Sequence, residues 1–320
     1  MSRLRVYRVM IGRWVGMLLG RNTYFHTVQG VGAAFKPGEL SGYYSDLTGK
    51  TRWQGLIDAQ GIILNRDTEG NPVYFPISII QKGLGHWDSW LFSQRSDGHH
   101  LESVLQACRW LLQHQDQDGG WTIWFAQAPR FRGPYSAMAQ GEAVSLLLRA
   151  YSVKDDPDYL SAAQRALELM LRDVESGGTA HTNADGLVLE EFVMNPLNTI
   201  LNGWIFALYG LYDAWLVEPS ARLEGALNQS LNALIAALPR YDLGWWTYYD
   251  SAGNLSSPFY QQLHLAQLRA LELTFPERAE AFSAFQRKWK GQYTSRWNRL
   301  RAVAAKGLQK LIHPPSAITR

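Results

Sequence analysis

From Pro76 onward, apolar residues recur at three- and four-residue steps along most of the chain, the spacing of helices with one face turned to a core. Over 98–116 the set is Leu101, Val104, Leu105, Cys108, Leu111 and Leu112, and the run Asp116-Gln117-Asp118-Gly119-Gly120 ends it. The same pattern predicts helices over 77–94, 135–152, 158–174, 197–216, 220–238, 258–273, 276–292 and about 294–312. The 197–216 segment is apolar nearly all round, through Ile205, Phe206, Ala207, Leu208 and Leu211, as a helix enclosed by others should be. Before Pro76 the pattern changes. Residues 1–20 read as an amphipathic helix and 21–60 as mostly loop. In 61–75, Gly61 to Arg66 and Val73-Tyr74-Phe75 flank a turn-rich stretch, the signal of a short β-hairpin. No other strand signal is strong. The division is therefore 1–75, with helix, loops and hairpin, and 76–320, a helical domain.

The helical part repeats. Gln81-Lys82-Gly83, Gln140-Gly141, Asn202-Gly203 and His264 stand at equivalent places in alternate helices, the last three 62 residues apart. Gly119-Gly120-Trp121, Gly177-Gly178 and Gly244-Trp245-Trp246 lie between them. Such a period means one supersecondary unit used several times: outer helix, Gly-rich turn, inner helix. The expected fold is mainly α, an (α/α) toroid or incomplete barrel of about four helical hairpins. Equivalent inner-helix residues then meet at one level, which gathers Gln81, Gln140, Asn202 and His264 around a shared cavity.

Composition narrows the chemistry. A net charge of +3 is weak, and part of it sits at the two ends. Basic residues form no aromatic-interleaved stripe, so no nucleic-acid partner is expected. Thirteen Trp and fifteen Tyr suit a large core, and beside Gly turns they also suit the apolar faces of sugar rings. Cys108 is the single cysteine, which excludes an intramolecular disulfide and a cysteine metal site. The apolar stretch from Val9 to Gly20 is interrupted by Arg13 and is too short to span a bilayer. The expectation is a cytoplasmic protein, with a peripheral membrane contact through the N-terminus left open. Phosphate-binding loops, dinucleotide fingerprints, His-Glu-x-x-His and Gly-x-Ser-x-Gly are all missing.

Three runs carry a resemblance: Phe75-Pro76-Ile77-Ser78-Ile79-Ile80-Gln81-Lys82-Gly83-Leu84-Gly85-His86, Tyr135-Ser136-Ala137-Met138-Ala139-Gln140-Gly141, and Leu201-Asn202-Gly203-Trp204 with Gly210-Leu211-Tyr212-Asp213. Over roughly residues 73–292 the chain resembles the heparosan/heparan D-glucuronyl C5-epimerase family. The resemblance implies an (α/α) barrel and inversion of C5 of glucuronate within a polysaccharide. It implies that Tyr249 and Tyr260 match family tyrosines and that Asn202 matches a substrate-contacting Asn. Two family tyrosines are replaced, one by Phe75 and one by Phe192 in Glu190-Glu191-Phe192. The β-rich domain of animal members has no counterpart, which implies an open groove or a second copy of the chain covering it, hence a homodimer.

The C5 proton lies α to a carboxylate and is very weakly acidic, because its loss gives a dianion. Inversion needs a base on one face of the ring, an acid on the other, and stabilisation of the carboxylate. No metal or other cofactor is required. A phenol can serve if its pKa is lowered from about 10, which nominates Tyr260 and Tyr249. Glu191 can replace the phenol lost at Phe192. His264, one turn from Tyr260, is a candidate to orient it. Arg130 and Arg132 are candidate carboxylate clamps. Tyr135, Phe192 and Phe206 join Asn202, Gln140 and His264 as candidate substrate contacts. Two rivals stay open. One is a glycan-binding protein that kept the barrel and lost the reaction. The other is a lyase, which starts with the same proton abstraction, or a hydrolase using two of Glu142, Glu190, Glu191 and Asp250.

Overall fold

The computed structural model describes residues 27–67 and 69–312. Helices run in pairs: α1 (Pro76–Phe92) with α2 (Gly98–His114), α3 (Ala137–Lys154) with α4 (Pro157–Leu171), α5 (Leu201–Val217) with α6 (Ala221–Ala237), and α7 (Pro258–Thr274) with α8 (Ala279–Thr294). A further helix, α9 (Arg296–Ile312), follows. Local chemistry sets the starts. Asp97, Ser136, Asp156, Ser220 and Ser257 each accept a backbone N–H from the first turn. Pro76, Pro157 and Pro258 open their helices, where the missing N–H has no intrahelical partner to lose.

The pairs sort into an inner row and an outer layer. α3 is buried from Ala137 to Ala150 and α5 from Leu201 to Ala214, whereas α2 and α4 bury one face each. α1, α3, α5 and α7 pack in sequence, each against the next. Among the described residues α7 makes no comparable contact with α1, so the ring is open on that side. α3 and α5 meet backbone to backbone. A Cβ on Gly141 would stand 2.6 Å from the Ala207 Cα, and one on Gly210 would stand 2.2 Å from the Gly141 carbonyl oxygen. The fold is the expected mainly helical (α/α) arrangement with a small strand region.

β1 (Leu56–Ile57), β2 (Ile63–Arg66) and β3 (Pro72–Val73) form an antiparallel sheet in that order, with Leu56 opposite Leu64 and Asn65 opposite Val73. It contains the predicted hairpin plus one strand. A second hairpin, β4 (Ala180–Asn183) and β5 (Gly186–Leu189), was not predicted. Its turn is held by the Asn183 Oδ1, which accepts the N–H groups of Asp185 (2.8 Å) and Gly186 (3.1 Å). Gly186 has φ +133°, a conformation open to glycine. The hairpin delivers the chain directly to Glu190 and Glu191.

The segment before β1 is built into the same core. Tyr44 stacks on Tyr209 at 4.1 Å and donates its hydroxyl to Asp213 (2.8 Å). Asp213 pairs with Arg149 at 2.5 Å, both fully buried. Arg149 also donates to the carbonyls of Ser41 (3.0 Å) and Gly42 (3.2 Å). A buried pair persists when its remaining donors are satisfied, and here the chain at 41–44 satisfies them. Next comes a 3₁₀ turn, Thr48–Thr51, laid so close to α1 that a Cβ on Gly85 would stand 2.3 Å from the Leu47 carbonyl oxygen. The helix predicted over 1–20 lies outside the described residues.

Candidate active site

Two loops and the N-terminus of α7 bring phenols and carboxyls together. Tyr249 lies in the loop before α7, and Tyr260 is in its first turn. Their ring centroids are 4.6 Å apart at 53°. A hydrogen bond between the two hydroxyls favours the ionised form of Tyr260 and the neutral form of Tyr249. Burial outweighs it. Burial first, then the Glu191 charge, hold the Tyr260 phenol above its ordinary value, and Tyr249 stands well above its own for the same reasons. This corrects the expectation of lowered tyrosine pKa values. Both phenols are protonated at neutral pH, and a protonated phenol can give a proton but cannot take one.

Glu191 reaches its ionised, proton-accepting form at lower pH than either phenol. It is nearly fully buried, in the loop between β5 and α5. Burial raises its pKa to about 8, with help from the charges of Glu190 and Asp250. Its Oε2 has no hydrogen-bond partner among the described residues. Glu190 beside it has one oxygen engaged: its Oε1 accepts the Thr199 hydroxyl at 2.7 Å and lies 3.4 Å from the His181 Nδ1, while its Oε2 has no hydrogen-bond partner among the described residues. Burial raises Glu190 to about 7. Asp250 is consumed by its own turn, accepting from Asn198 (3.1 Å) and from the Asn254 side chain (2.8 Å) and backbone (3.0 Å).

Other sequence candidates divide. Gln140 and Asn202 are buried on α3 and α5. Both amide atoms of Gln140, and the Asn202 Oδ1, have no hydrogen-bond partner among the described residues. Gln81 donates to Glu142 Oε1 at 2.9 Å. His264 is fully buried, with Nδ1 3.5 Å from the Thr247 hydroxyl and its ring 6.1 Å from that of Trp289 on α8. Burial lowers its pKa to about 3, so it is neutral, and its Nε2 has no hydrogen-bond partner among the described residues. The α7 residue that reaches α5 is Gln267, which donates to the Asn202 carbonyl at 3.0 Å.

Phe192 sits with Phe125 (5.1 Å) and Phe131 (6.2 Å) in an aromatic cluster. The strand-like run through Arg130 and Arg132 lies alongside it, with the Arg132 N–H donating to the Val193 carbonyl at 2.7 Å. The Arg132 guanidinium is taken by Glu175 at 2.5 Å, and that of Arg130 lies over the Phe131 ring at 4.6 Å. Tyr135 donates to Asp116 (2.8 Å) and, at 3.2 Å, to Asp118, bracing the Gly119-Gly120 turn. Phe206 stacks on Tyr43 at 6.3 Å in the core. Two further groups stand out, one that the sequence offered only as a hydrolase carboxylate and one that it did not offer. Glu142, fully buried on α3, has its pKa raised to about 8 by burial. Lys50, in the 3₁₀ turn, is half-buried, and desolvation lowers its amine to about 8. Glu142 lies two residues after the repeat mark Gln140; Lys50 carried no periodic signal. No group of three or more His, Cys, Asp or Glu among the described residues could hold a metal.

The helical row thus carries buried carboxyls beside a pair of phenols. The chain belongs to the family described as D-glucuronyl C5-epimerase C-terminus, matched over residues 115–291. It is 29% identical over 217 residues to the D-glucuronyl C5-epimerase of Caenorhabditis elegans, covering 60% of this chain and 35% of that protein. It is 27% identical over 163 residues to an uncharacterized protein of Methanocaldococcus jannaschii, covering 50% of this chain and 52% of that one. The chain thus spans about a third to a half of the length of these relatives. Among solved structures it is similar to the unsaturated glucuronyl hydrolase of Bacillus sp. GL1, with a TM-score of 0.45 and 16% identity over 71% of this chain and 61% of that chain.

Proposed function

We propose that the protein inverts C5 of glucuronate residues within a polysaccharide or glycan precursor, by proton abstraction and re-addition. The observation that carries this reading is the Tyr249–Tyr260 pair beside Glu191 inside the family-matched stretch. Glu191, when ionised, takes the C5 proton from one face. Tyr260 gives a proton to the other, and Tyr249 holds the Tyr260 oxygen and stabilises it as it loses that proton. In the reverse direction the roles exchange. Asn202 and Gln140 offer buried amides to sugar hydroxyls. The test is to incubate a glucuronan with the protein in heavy water and follow C5 by NMR. Deuterium at C5 with appearance of iduronate supports the reading. An unsaturated product absorbing in the ultraviolet points to a lyase, and binding without exchange points to a glycan-binding protein.

We further propose a peripheral membrane contact and a homodimer. The N-terminal segment expected to make that contact lies outside the described residues, but α9 adds support. Trp297 (81% exposed), Leu300 and Leu308 form an apolar stripe flanked by exposed Arg296 and Arg301, with no acidic residue in the helix. Among the described residues no helix is long and apolar enough to cross a membrane. Co-sedimentation with anionic vesicles tests the contact, and sedimentation velocity tests the dimer.

A further inference from the structure

The inner face of α9 grips the loop that carries Tyr249. Lys306, only 8% exposed, donates its Nζ to the Leu255 carbonyl. The Gln309 side chain accepts the Leu255 N–H at 3.1 Å and donates to the Gly253 carbonyl at 3.2 Å. Both backbone groups of Leu255 therefore end on α9. Ala302 packs with Trp246 and Leu255, and the Arg301 guanidinium lies over the Trp245 ring at 4.0 Å. The 253–255 run in turn backs the Tyr249 stretch. Leu255 bridges Tyr248, and the Tyr249 N–H donates to the Asn254 carbonyl at 2.6 Å. One helix thus holds the far side of a strand-like pair whose near side presents Tyr249 to Tyr260.

The outer face of the same helix is exposed. Trp297, Leu300, Ala304 and Leu308 recur at three- and four-residue steps and form one row along about three turns. Exposed Arg296 and Arg301 border the row, and beyond Glu280 the sequence holds no acidic residue. The row is aliphatic as well as aromatic. A glycan strand stacks on separate rings, whereas a bilayer takes a continuous apolar row with basic borders.

Resting on the membrane-contact and epimerase readings, we infer that an anionic bilayer is the partner of this outer face, and that α9 couples bilayer binding to the placement of Tyr249, with Lys306 and Gln309 as positioning residues. A helix of 17 residues packed on one side is marginal without its partners. The outer row exists only while the helix is formed, so a surface that binds the row favours the formed helix and the loop clamped beneath it. Tyr249 holds the Tyr260 oxygen, so a firmer loop speeds proton delivery to the second face of the ring.

Amide hydrogen exchange of the full chain is to be followed by mass spectrometry with mixed phosphatidylglycerol–phosphatidylcholine vesicles, with phosphatidylcholine vesicles, and with a glucuronan alone. Anionic vesicles are expected to slow amide exchange over 296–308 and over 247–256 by about fivefold, the worth of one hydrogen bond, and to raise the rate of iduronate formation by a similar factor. Phosphatidylcholine vesicles should do neither. Trp297→Ser, Leu300→Ser and Leu308→Ser together should keep the vesicle-free rate and lose both vesicle effects. Lys306→Met should still co-sediment with anionic vesicles, lose the protection over 247–256, and lower kcat by about 10- to 100-fold with KM unchanged. Lys306→Arg should recover part of that kcat, which a merely space-filling role would not require. Should Lys306→Met fail to fold, Gln309→Ala decides through the same readouts. Protection of 296–308 alone, with 247–256 and the rate unchanged, upholds the membrane contact and overturns the coupling. Protection of neither segment overturns the inference, and so does protection of 296–308 by the glucuronan alone, which assigns the face to the glycan. Vesicle-dependent protection of both segments without any C5 exchange upholds the coupling and overturns the epimerase reading. C5 exchange without a vesicle effect does the reverse.

Discussion

A Cβ on Gly203 would fall 2.2 Å from the Oε2 of Glu191. The carboxyl is therefore seated against bare backbone in the first turn of α5, and its position depends on that glycine. Gly203→Ala is expected to push the side chain out of its seat. A displacement of about 1 Å can cost on the order of 100-fold in rate, so C5 exchange should fall by about that factor while far-ultraviolet circular dichroism stays unchanged. Normal exchange in the variant would show that the seat is not needed.

The pH dependence of exchange follows from Glu191. Its pKa is raised to about 8 by burial, so the base form is scarce at pH 6 and grows as pH rises. The exchange rate of the unmodified protein should climb about tenfold per pH unit well below that value and flatten near it. A rate independent of pH between 6 and 8 would remove Glu191 from the role of base.

Stability should move the opposite way. Glu142, Glu190 and Glu191 are all raised by burial, to about 8, 7 and 8. The folded state therefore binds more protons than the unfolded chain once pH passes the ordinary carboxylate range. Stability contributed by the protonated forms is present at low pH and lost as pH rises toward the folded-state values. Tm should decline between about pH 5 and 8, and Glu190→Gln should flatten the decline. A Tm rising over that range would contradict the burial assigned to these groups.

Much of this could be read along the chain, and what could not has physical causes. Helix positions followed from the 3.6-residue period because a core demands it, and the inner row followed from α5 being apolar all round. The β4–β5 hairpin was missed because its four-residue strands lack clear alternation and its only signal was the Asn183 and Gly186 turn. Tyr249 and Tyr260 were found through resemblance. Their pKa direction was not, because desolvation depends on what surrounds a phenol in space. Lys50 lies in a stretch without periodicity. The turn that carries it is held against α1 at Gly85, a tertiary contact that no local pattern announces.

The Arg149–Asp213 pair is itself testable. Both members are fully buried, and Asp213 also receives the Tyr44 hydroxyl. Arg149→Met leaves an uncompensated buried carboxylate and should cost about 3–5 kcal/mol in urea denaturation. Adding Asp213→Leu should recover part of that loss. A double variant as unstable as the sum of the singles would mean that the two residues do not act as a pair.

The most direct test of the two-faced mechanism is to follow solvent deuterium into C5 of a glucuronan, and the yield of iduronate, in Tyr260→Phe and in Glu191→Gln. With Tyr260→Phe, Glu191 still removes and returns the proton on its own face. Glucuronate should then gain deuterium without inversion, and iduronate should fall about 100- to 10,000-fold. With Glu191→Gln, glucuronate should neither exchange nor invert. Undiminished iduronate formation in either variant would contradict the account.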